Sequence, residues 1–223
     1  MITTVEMPVN EKQRIETLKK YNILDTPADG SFDRITKLAS SIFKVPIAII
    51  SLVDTDRIWF KSHFGLTVNQ INRDPGLCAS AILSHELYVV ENAIADPRTL
   101  ANPLVAGEFG LRFYAAAPLQ TDDNYNLGTL CILDRQSRTF SESEKEILKQ
   151  LADIVMDEME MRLTIRETVH KIKSLSSDIY HQVKASIKEI EALPAESQNP
   201  KLLSYLDACR GFLLNIENQV NYL

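Results

Sequence analysis

The sequence has few cysteines and no long apolar run, and both absences limit the kinds of protein it can encode. Its three cysteines, Cys78, Cys131 and Cys209, are widely separated and form no Cys-x-x-Cys pair, so neither a disulfide framework nor a metal site is expected. No window approaches the roughly 18 consecutive apolar residues of a membrane span, and the first residues lack the apolar core of a signal peptide. We therefore expect a cytoplasmic protein without a membrane span.

An excess of positive charge is also missing. The formal net charge is -6, which would repel nucleic acids and anionic membrane surfaces. The 223 residues are 45% hydrophobic, which is enough for a buried core. The sequence thus predicts an acidic globular protein that binds no nucleic acid.

Short helices and pairs of apolar strands alternate over the first 140 residues. Apolar residues at helical spacing predict helices over 10–21 and 31–43. The runs "PIAIISLVD" and "IWFKSHFG" predict one β-hairpin, and "RFYAAAPLQ" and "LGTLCILD" predict a second. Between the hairpins we expect a loop over 66–76, a short helix at "LCASAIL", a weak strand at "LYVVEN" and another long loop. These elements indicate an α+β fold.

The character of the sequence changes at Ser141. About fifty residues follow without glycine or proline, and "SESE" provides a capping-box start for one long helix. Apolar residues recur along this helix at steps of three or four, a stripe typical of a coiled coil or helical bundle. They are Leu148, Leu151, Val155, Met159, Ile165, Val169, Ile172, Leu175, Ile179, Val183, Ile187 and Ile190.

A second amphipathic helix is predicted over 201–223, after the turn-forming "PAESQNP". Two long helices joined by a short turn make a helical hairpin, and two such hairpins make a four-helix bundle. We therefore expect a homodimer formed through the hairpin.

Several separate blocks of the first part resemble the GAF domain of bacterial signalling proteins. They are "YNILDTPADGSFDRITKLAS", "PIAIISLVDTDRIWFKSHFGL", "DPGLCASAI", "ADPRTLANPLV", "RFYAAAPLQT" and "LGTLCILD". The resemblance implies a GAF sensor domain over 1–160, with an antiparallel sheet, helices on one face and a ligand pocket on the other. It implies an unknown small-molecule ligand, and no cofactor is evident. The pocket residues it implies are Trp59, Phe60, His63, Cys78, Ile82, Tyr114 and Cys131.

The aromatic residues of this set could equally be packed core. The sequence lacks the Cys-His pair that tethers a bilin and the pattern of cyclic-nucleotide-binding GAF domains. A further GAF class reduces free methionine sulfoxide with several close cysteines. Cys78 and Cys131 would approach each other if the short helix packed on the fifth strand, although both lie in apolar runs, where cysteine usually behaves as a small buried hydrophobe. The sequence is therefore compatible with two interpretations of Cys78 and Cys131, a reactive thiol pair and inert cysteines of the core.

The stretch "DIYHQVKASIKEI" resembles the H-box helix of sensor histidine kinases. At about 100° per residue, His181 lies about 200° from Ile179 and projects away from the apolar stripe, where another protein can reach it. The resemblance implies that residues 161–223 form a dimerisation and phosphotransfer hairpin. His181 would be the phosphoacceptor, Lys184 would replace the usual arginine, and a response regulator receiver domain would be the partner.

Three departures from the kinase pattern leave the function open. Gln182 stands where an acidic residue is usual, and Ala185-Ser186 stands where Thr-Pro is usual. The third departure is that residues 1–223 contain neither an Asn-box nor a glycine-rich ATP lid. One interpretation is the sensing and dimerisation part of a histidine kinase whose kinase domain is separate or deleted. Others are a stand-alone dimeric phosphotransfer or adaptor protein and, less favoured, a methionine sulfoxide reductase.

Overall fold

A computed structural model of the chain describes residues 7–192, 194 and 200–221, with side chains of the last helix described to residue 218. It divides into two compact units, Met1–Met161 and Arg162–Leu223. None of the described helices combines the length and the apolarity of a membrane-spanning segment.

The first unit is an α+β domain. Its elements are, in chain order, α1 (Glu11–Tyr21), α2 (Gly30–Phe43), β1 (Ile47–Val53), β2 (Arg57–Phe64), β3 (Gln70–Asn72), α3 (Leu77–Ala81), β4 (Tyr88–Val90), α4 (Pro103–Ala106), β5 (Phe113–Gln120), β6 (Asn126–Asp134) and the first part of α5 (Glu142–Glu191). The second unit contains the rest of α5 and α6 (Pro200–Asn221).

The described strands form one antiparallel sheet in the order β3-β2-β1-β6-β5-β4. Both predicted hairpins are confirmed, β1 with β2 and β5 with β6, and pairing of β1 with β6 joins them. The apolar hairpin strands therefore occupy the middle of the sheet, where both of their faces are covered. The antiparallel sheet implied by the GAF resemblance is confirmed.

Two short elements lie where the sequence predicted loops. Strand β3 forms because its Ile71 pairs with Ile58 at the edge of β2, although a single apolar residue between two polar ones gives little strand signal. Helix α4 begins where the Asn102 side chain accepts a hydrogen bond from the amide of Leu104, with Pro103 in the first turn. Both elements depend on short local contacts rather than on a periodic pattern.

The two faces of the sheet have different partners. A β-bulge opposite Ile50 and Ser51 interrupts the alternation of side chains along β2, so that Phe60 and Ser62 point to opposite faces. On one face Ser62 bonds to Thr36 of α2 at 2.9 Å. On the other, Phe60 joins a buried apolar cluster that includes Cys78 of α3 and Cys131 of β6. This apolar cluster contains the candidate functional site.

An aromatic contact and a cap hold the start of α5 on the sheet domain. The ring of Phe140 packs against those of Phe43 and Phe113, with centroids 5.7 Å and 5.5 Å away. The predicted capping box is confirmed: the amide of Ser141 donates to the Glu144 carboxylate at 2.9 Å, and the amide of Glu144 donates to the Ser141 hydroxyl at 3.3 Å.

The second unit is a pair of helices with its own small core. Ile187 of α5 and Leu206 and Leu213 of α6 are buried, and partly buried apolar side chains surround them. These additional side chains are Tyr180, Val183 and Ile190. Apart from its two prolines, the predicted turn "PAESQNP" lies outside the described residues.

The apolar stripe that looks continuous in the sequence therefore has three parts. The first part, Leu148, Leu151, Val155 and Met159, is buried in the first unit. The part near Ile187 packs on α6, whereas Ile172, Leu175 and Ile179 expose 43%, 53% and 45% of their surfaces. An exposed row of large apolar side chains at regular spacing is a candidate contact surface.

Candidate functional site

Two free thiols meet beneath the sheet, one supplied by α3 and one by β6. The sulfur atoms of Cys78 and Cys131 lie 3.9 Å apart, and the two residues expose 5% and 0% of their surfaces. The phenol of Tyr114, on β5, donates a hydrogen bond of 3.2 Å to the Cys78 sulfur. This contact exists because α3 packs against β5 and β6. The approach that the sequence left open for the two cysteines therefore occurs.

Hydroxyl groups make this point of the apolar cluster locally polar. Ser51 of β1 and Thr129 of β6 are completely buried, and their hydroxyl oxygens lie 2.9 Å apart. The hydrogen bond from the Cys131 thiol lowers the pKa of Cys78 most, and the hydroxyls of Ser51, Tyr114 and Thr129 lower it further, although burial opposes them. Donors stabilise a thiolate, so the charge of the pair would reside on Cys78.

Burial has the opposite effect on the two neighbouring groups. It raises the pKa of Cys131 well above its usual value, and donation of the Cys131 thiol proton to Cys78 adds to this rise. Burial likewise raises the pKa of Tyr114, as do the nearby sulfur atoms. Both groups therefore keep their protons and act as donors.

The cavity beside the thiols is small, about 30 Å³. Ligand pockets usually measure about 300–1,000 Å³, while one water needs about 10–15 Å³. Phe60, Cys78, Tyr114 and Cys131 line this cavity, and Ile82 belongs to the same apolar cluster. In this conformation the space fits a molecule of one or two oxygen atoms and is too small for free methionine sulfoxide.

The structure does not bring Trp59 and His63 to the thiols. Both line an open cleft of about 520 Å³, which also borders Phe60. Trp59 and Phe60 are neighbours on one strand and therefore point to opposite faces. His63 is half-buried, with Nε2 3.0 Å from the Asn69 side-chain oxygen. The seven residues implied as a pocket thus divide between two places, and ligand binding by them stays a prediction.

Sequence reasoning missed Lys61, the most buried cation of this cleft. Its exposure is 5%. Its ammonium donates to the Thr26 hydroxyl at 2.8 Å and to the Pro27 carbonyl at 2.9 Å, and it lies 5.3 Å from the Phe32 ring centre. Lys61 and Trp59 are two residues apart on β2 and therefore share a face of the sheet, so the position of Trp59 is the sequence signal that could have indicated Lys61.

His181 is exposed on α5. The ring of Tyr180 lies beside it at 5.7 Å between centroids, and the Lys184 ammonium lies 5.3 Å from the Tyr180 ring centre. Gln182 is exposed as well and lines a groove of about 330 Å³ between α5 and α6. The three residues implied as phosphotransfer groups therefore lie together on one accessible stretch of helix.

A metal site requires several ligating side chains close together. Within the described ranges, no group of three or more His, Cys, Asp or Glu side chains could hold a metal ion. The chemistry available at the described sites is that of thiols, hydroxyls and an exposed imidazole.

The family comparison agrees with the sheet and its flanking helices. The model of the GAF domain matches residues 28–159, more than half of the chain. The chain belongs to the GAF family. The family match ends before residue 161, so the resemblance of residues 161–223 to a phosphotransfer hairpin stays a prediction.

One curated relative of the chain is an enzyme of cyclic di-GMP turnover. A cyclic di-GMP phosphodiesterase of Pseudomonas aeruginosa is 39% identical over 156 residues, which are 70% of this chain and 27% of the relative. The chain thus spans about a quarter of that protein. The relative supports the GAF sensor domain and is not a histidine kinase.

Solved GAF structures share the fold at low identity. The GAF domain of an Acinetobacter phosphoenolpyruvate-protein phosphotransferase is 19% identical with a TM-score of 0.51, covering 70% of this chain and 98% of its own. The Neisseria meningitidis free methionine-R-sulfoxide reductase, solved with its substrate, is 19% identical with a TM-score of 0.51, covering 74% and 99%. A Thermosynechococcus elongatus GAF domain in its blue-light-absorbing form is 14% identical with a TM-score of 0.53, covering 70% and 94%. These similarities concern the fold alone.

Proposed function

We propose that this GAF protein is the sensing and dimerisation part of a two-component pathway, with His181 as the phosphoacceptor. A response regulator receiver domain would exchange the phosphoryl group with His181, and a kinase domain outside residues 1–223 would supply it from ATP. The domain boundaries of the proposal are 1–160 for the GAF sensor and 161–223 for the phosphotransfer hairpin.

The exposure of His181 carries this proposal. A phosphoacceptor imidazole has to meet the γ-phosphoryl group of ATP and later a receiver aspartate, so it needs open space on two occasions. His181 lies about 160° around the helix from both Ile179 and Val183, measured the shorter way. It therefore projects away from both the exposed apolar row and the face packed on α6.

Dimerisation is supported by the register of the exposed apolar row. Positions spaced alternately by three and four residues are the a and d positions of a heptad repeat. From the first a position these are Ile165, Thr168, Ile172, Leu175, Ile179 and Gln182. All three a positions are isoleucine, and β-branched residues at a favour two parallel strands when leucine occupies d, as it does at Leu175; the other two d positions, Thr168 and Gln182, are polar. A second copy packed on this row would cover apolar surface that the single chain exposes and leave His181 outside.

Gln182 limits the chemistry that His181 can perform alone. An amide can hydrogen-bond the imidazole but cannot accept its proton. Lys184 is held near Tyr180 by a cation–π contact at 5.3 Å, and its charge would attract a phosphoryl group. We expect phosphotransfer to depend on the partner domain for proton acceptance.

Phosphoryl labelling tests the proposal. The purified chain would be incubated with radiolabelled ATP and an isolated kinase catalytic domain, or with receiver domains phosphorylated by acetyl phosphate. We expect an acid-labile label that His181→Gln abolishes. His170→Gln is the matched control, because His170 is exposed on the same helix. Absence of label under both treatments, or equal loss in both variants, would contradict phosphotransfer at His181.

The curated relative favours a second candidate, an input domain for cyclic di-GMP turnover. The basis is the 39% identity to a cyclic di-GMP phosphodiesterase. Under this alternative the hairpin is a dimerising output and His181 carries no phosphoryl group. The GAF unit fused to a phosphodiesterase domain would then change the rate of cyclic di-GMP hydrolysis, while the labelling experiment stayed negative.

A further inference from the structure

The buried thiol pair is independent of the hairpin and has no part in the proposed phosphotransfer. Cys78 and Cys131 are both free thiols with their sulfur atoms in contact at 3.9 Å. We propose that this pair is a modification site, at which hydrogen peroxide oxidises the two thiols to a disulfide that joins α3 to β6.

The reaction needs only the two cysteines and the peroxide. The Cys78 sulfur attacks one peroxide oxygen, so an S–O bond forms, the O–O bond breaks, and the leaving hydroxide takes the proton released by the Cys78 thiol. The Cys131 sulfur then attacks the Cys78 sulfur, the S–S bond forms, and the S–O bond breaks. The departing hydroxyl takes the Cys131 proton as water. Two thiols lose two electrons, and one peroxide becomes two waters.

The cavity and the hydroxyl groups match this oxidant. About 30 Å³ beside the sulfurs accommodates two oxygen atoms and excludes larger oxidants. The Tyr114 phenol, 3.2 Å from the Cys78 sulfur, would donate to the leaving oxygen. The Ser51 and Thr129 hydroxyls do not line the cavity; they hydrogen-bond to the Cys78 sulfur, where they would stabilise the sulfur as it attacks the peroxide.

Closing the bond requires a small displacement. The sulfur atoms are 3.9 Å apart and a disulfide brings them about 2 Å closer. Cys131 is fixed in a central strand, bonded on both sides by β1 and β5. Cys78 lies on α3, a helix of five residues, so we expect the movement to come from α3.

The third cysteine provides an internal control. Cys209 is exposed on α6. A bulky aromatic disulfide reagent should therefore modify one thiol of the native protein, Cys209, and all three after denaturation. In the Cys209→Ser background every remaining thiol belongs to the buried pair.

The experiment treats native Cys209→Ser protein with hydrogen peroxide, removes the peroxide with catalase, and digests the protein with trypsin without reduction. The expected product links peptides 74–98 and 113–135, with both thiols lost together and both recovered by dithiothreitol. In the same background, Cys131→Ala should leave a sulfenic acid on Cys78, which dimedone traps when the protein is denatured in its presence after the peroxide has been removed, whereas Cys78→Ala should leave Cys131 reduced.

Two results would overturn the inference. The first is a pair that stays fully reduced at a peroxide dose that oxidises Cys209 of the wild-type chain. The second is oxidation of either thiol in Cys209→Ser protein without the linked peptide. Because the decisive measurement is made on Cys209→Ser protein, it does not depend on variants of the core. Circular dichroism confirms that the alanine variants are folded before they are compared.

Discussion

Replacing Ile172 by alanine should weaken self-association of the chain without unfolding the helix. Ile172 occupies an a position of the exposed heptad row and shows 43% of its surface to solvent. A parallel partner helix would cover that surface. Alanine has the higher intrinsic helix propensity, so any loss of association reflects lost contact rather than lost helix.

The expected magnitude follows from the exposed fraction. Full burial of an isoleucine side chain stabilises by roughly 1.5–3 kcal/mol, so burying the remaining 43% contributes about 1 kcal/mol from each copy. Alanine keeps only the β-carbon, and both copies carry the change. About 1.5 kcal/mol of dimer stability should be lost, which raises the Kd roughly tenfold.

Sedimentation equilibrium measures this Kd, with Ser177→Ala as the matched control. Ser177 is exposed on the same helix at the outer f position, where a change to alanine should alter the Kd by about twofold or less. Equal effects of the two substitutions would refute the proposed seam, and so would a chain that stays monomeric at every concentration.

Two further predictions concern the stability of the GAF domain. Burial raises the pKa of Glu11, but hydrogen bonds from Arg14 and Arg73 outweigh it and lower the pKa below its ordinary value of 4.5. The charged carboxylate therefore contributes its full stability to the fold above pH 4.5, the unfolded-state pKa, and this stability is lost as the pH falls through the lower folded-state pKa. Glu11→Gln should be less stable at neutral pH and should lose less on acidification, and parallel urea-midpoint profiles for both proteins would contradict this. In Gly128→Ala the added Cβ would lie 1.9 Å from the Ser51 carbonyl oxygen. We therefore expect the free energy of unfolding, measured with urea, to fall by about 3 kcal/mol or more. A change below about 1 kcal/mol would instead show that β1 and β6 can move apart.

Periodic and block patterns were sufficient to predict the main elements of the fold. The two hairpins have long apolar strands separated by polar turns, and the capping box at Ser141 involves four consecutive residues. Strand β3 was not predicted because its three residues, Gln70–Asn72, include only one apolar side chain and pair only with β2 at the edge of the sheet. The apolar stripe of α5 looked like a single surface because sequence spacing alone cannot show which of its residues are covered by α6.

The site was harder to predict because it depends on strand faces and on one bulge. The contact of Cys78 with Cys131 required knowing that α3 packs on β6. Trp59 and Phe60 are neighbours on β2, and only Phe60 of the two lies in the cluster around the thiols, a division that a list of pocket residues does not show. The bulge opposite Ile50 and Ser51 puts the neighbours Lys61 and Ser62 on the same side of the sheet, facing α2, and the sequence does not mark this break in the alternation.

Cysteine cross-linking tests the central claim, that two copies pair along the exposed row of α5 and leave His181 outside. In the Cys209→Ser background, Ile172→Cys would place two thiols face to face at an a position, and mild oxidation should give a disulfide-linked species of twice the 25.2 kDa chain mass. Ser177→Cys, on the side of the helix that carries His181, should give little of this species. Equal cross-linking of both variants, or none in Ile172→Cys, would contradict the account.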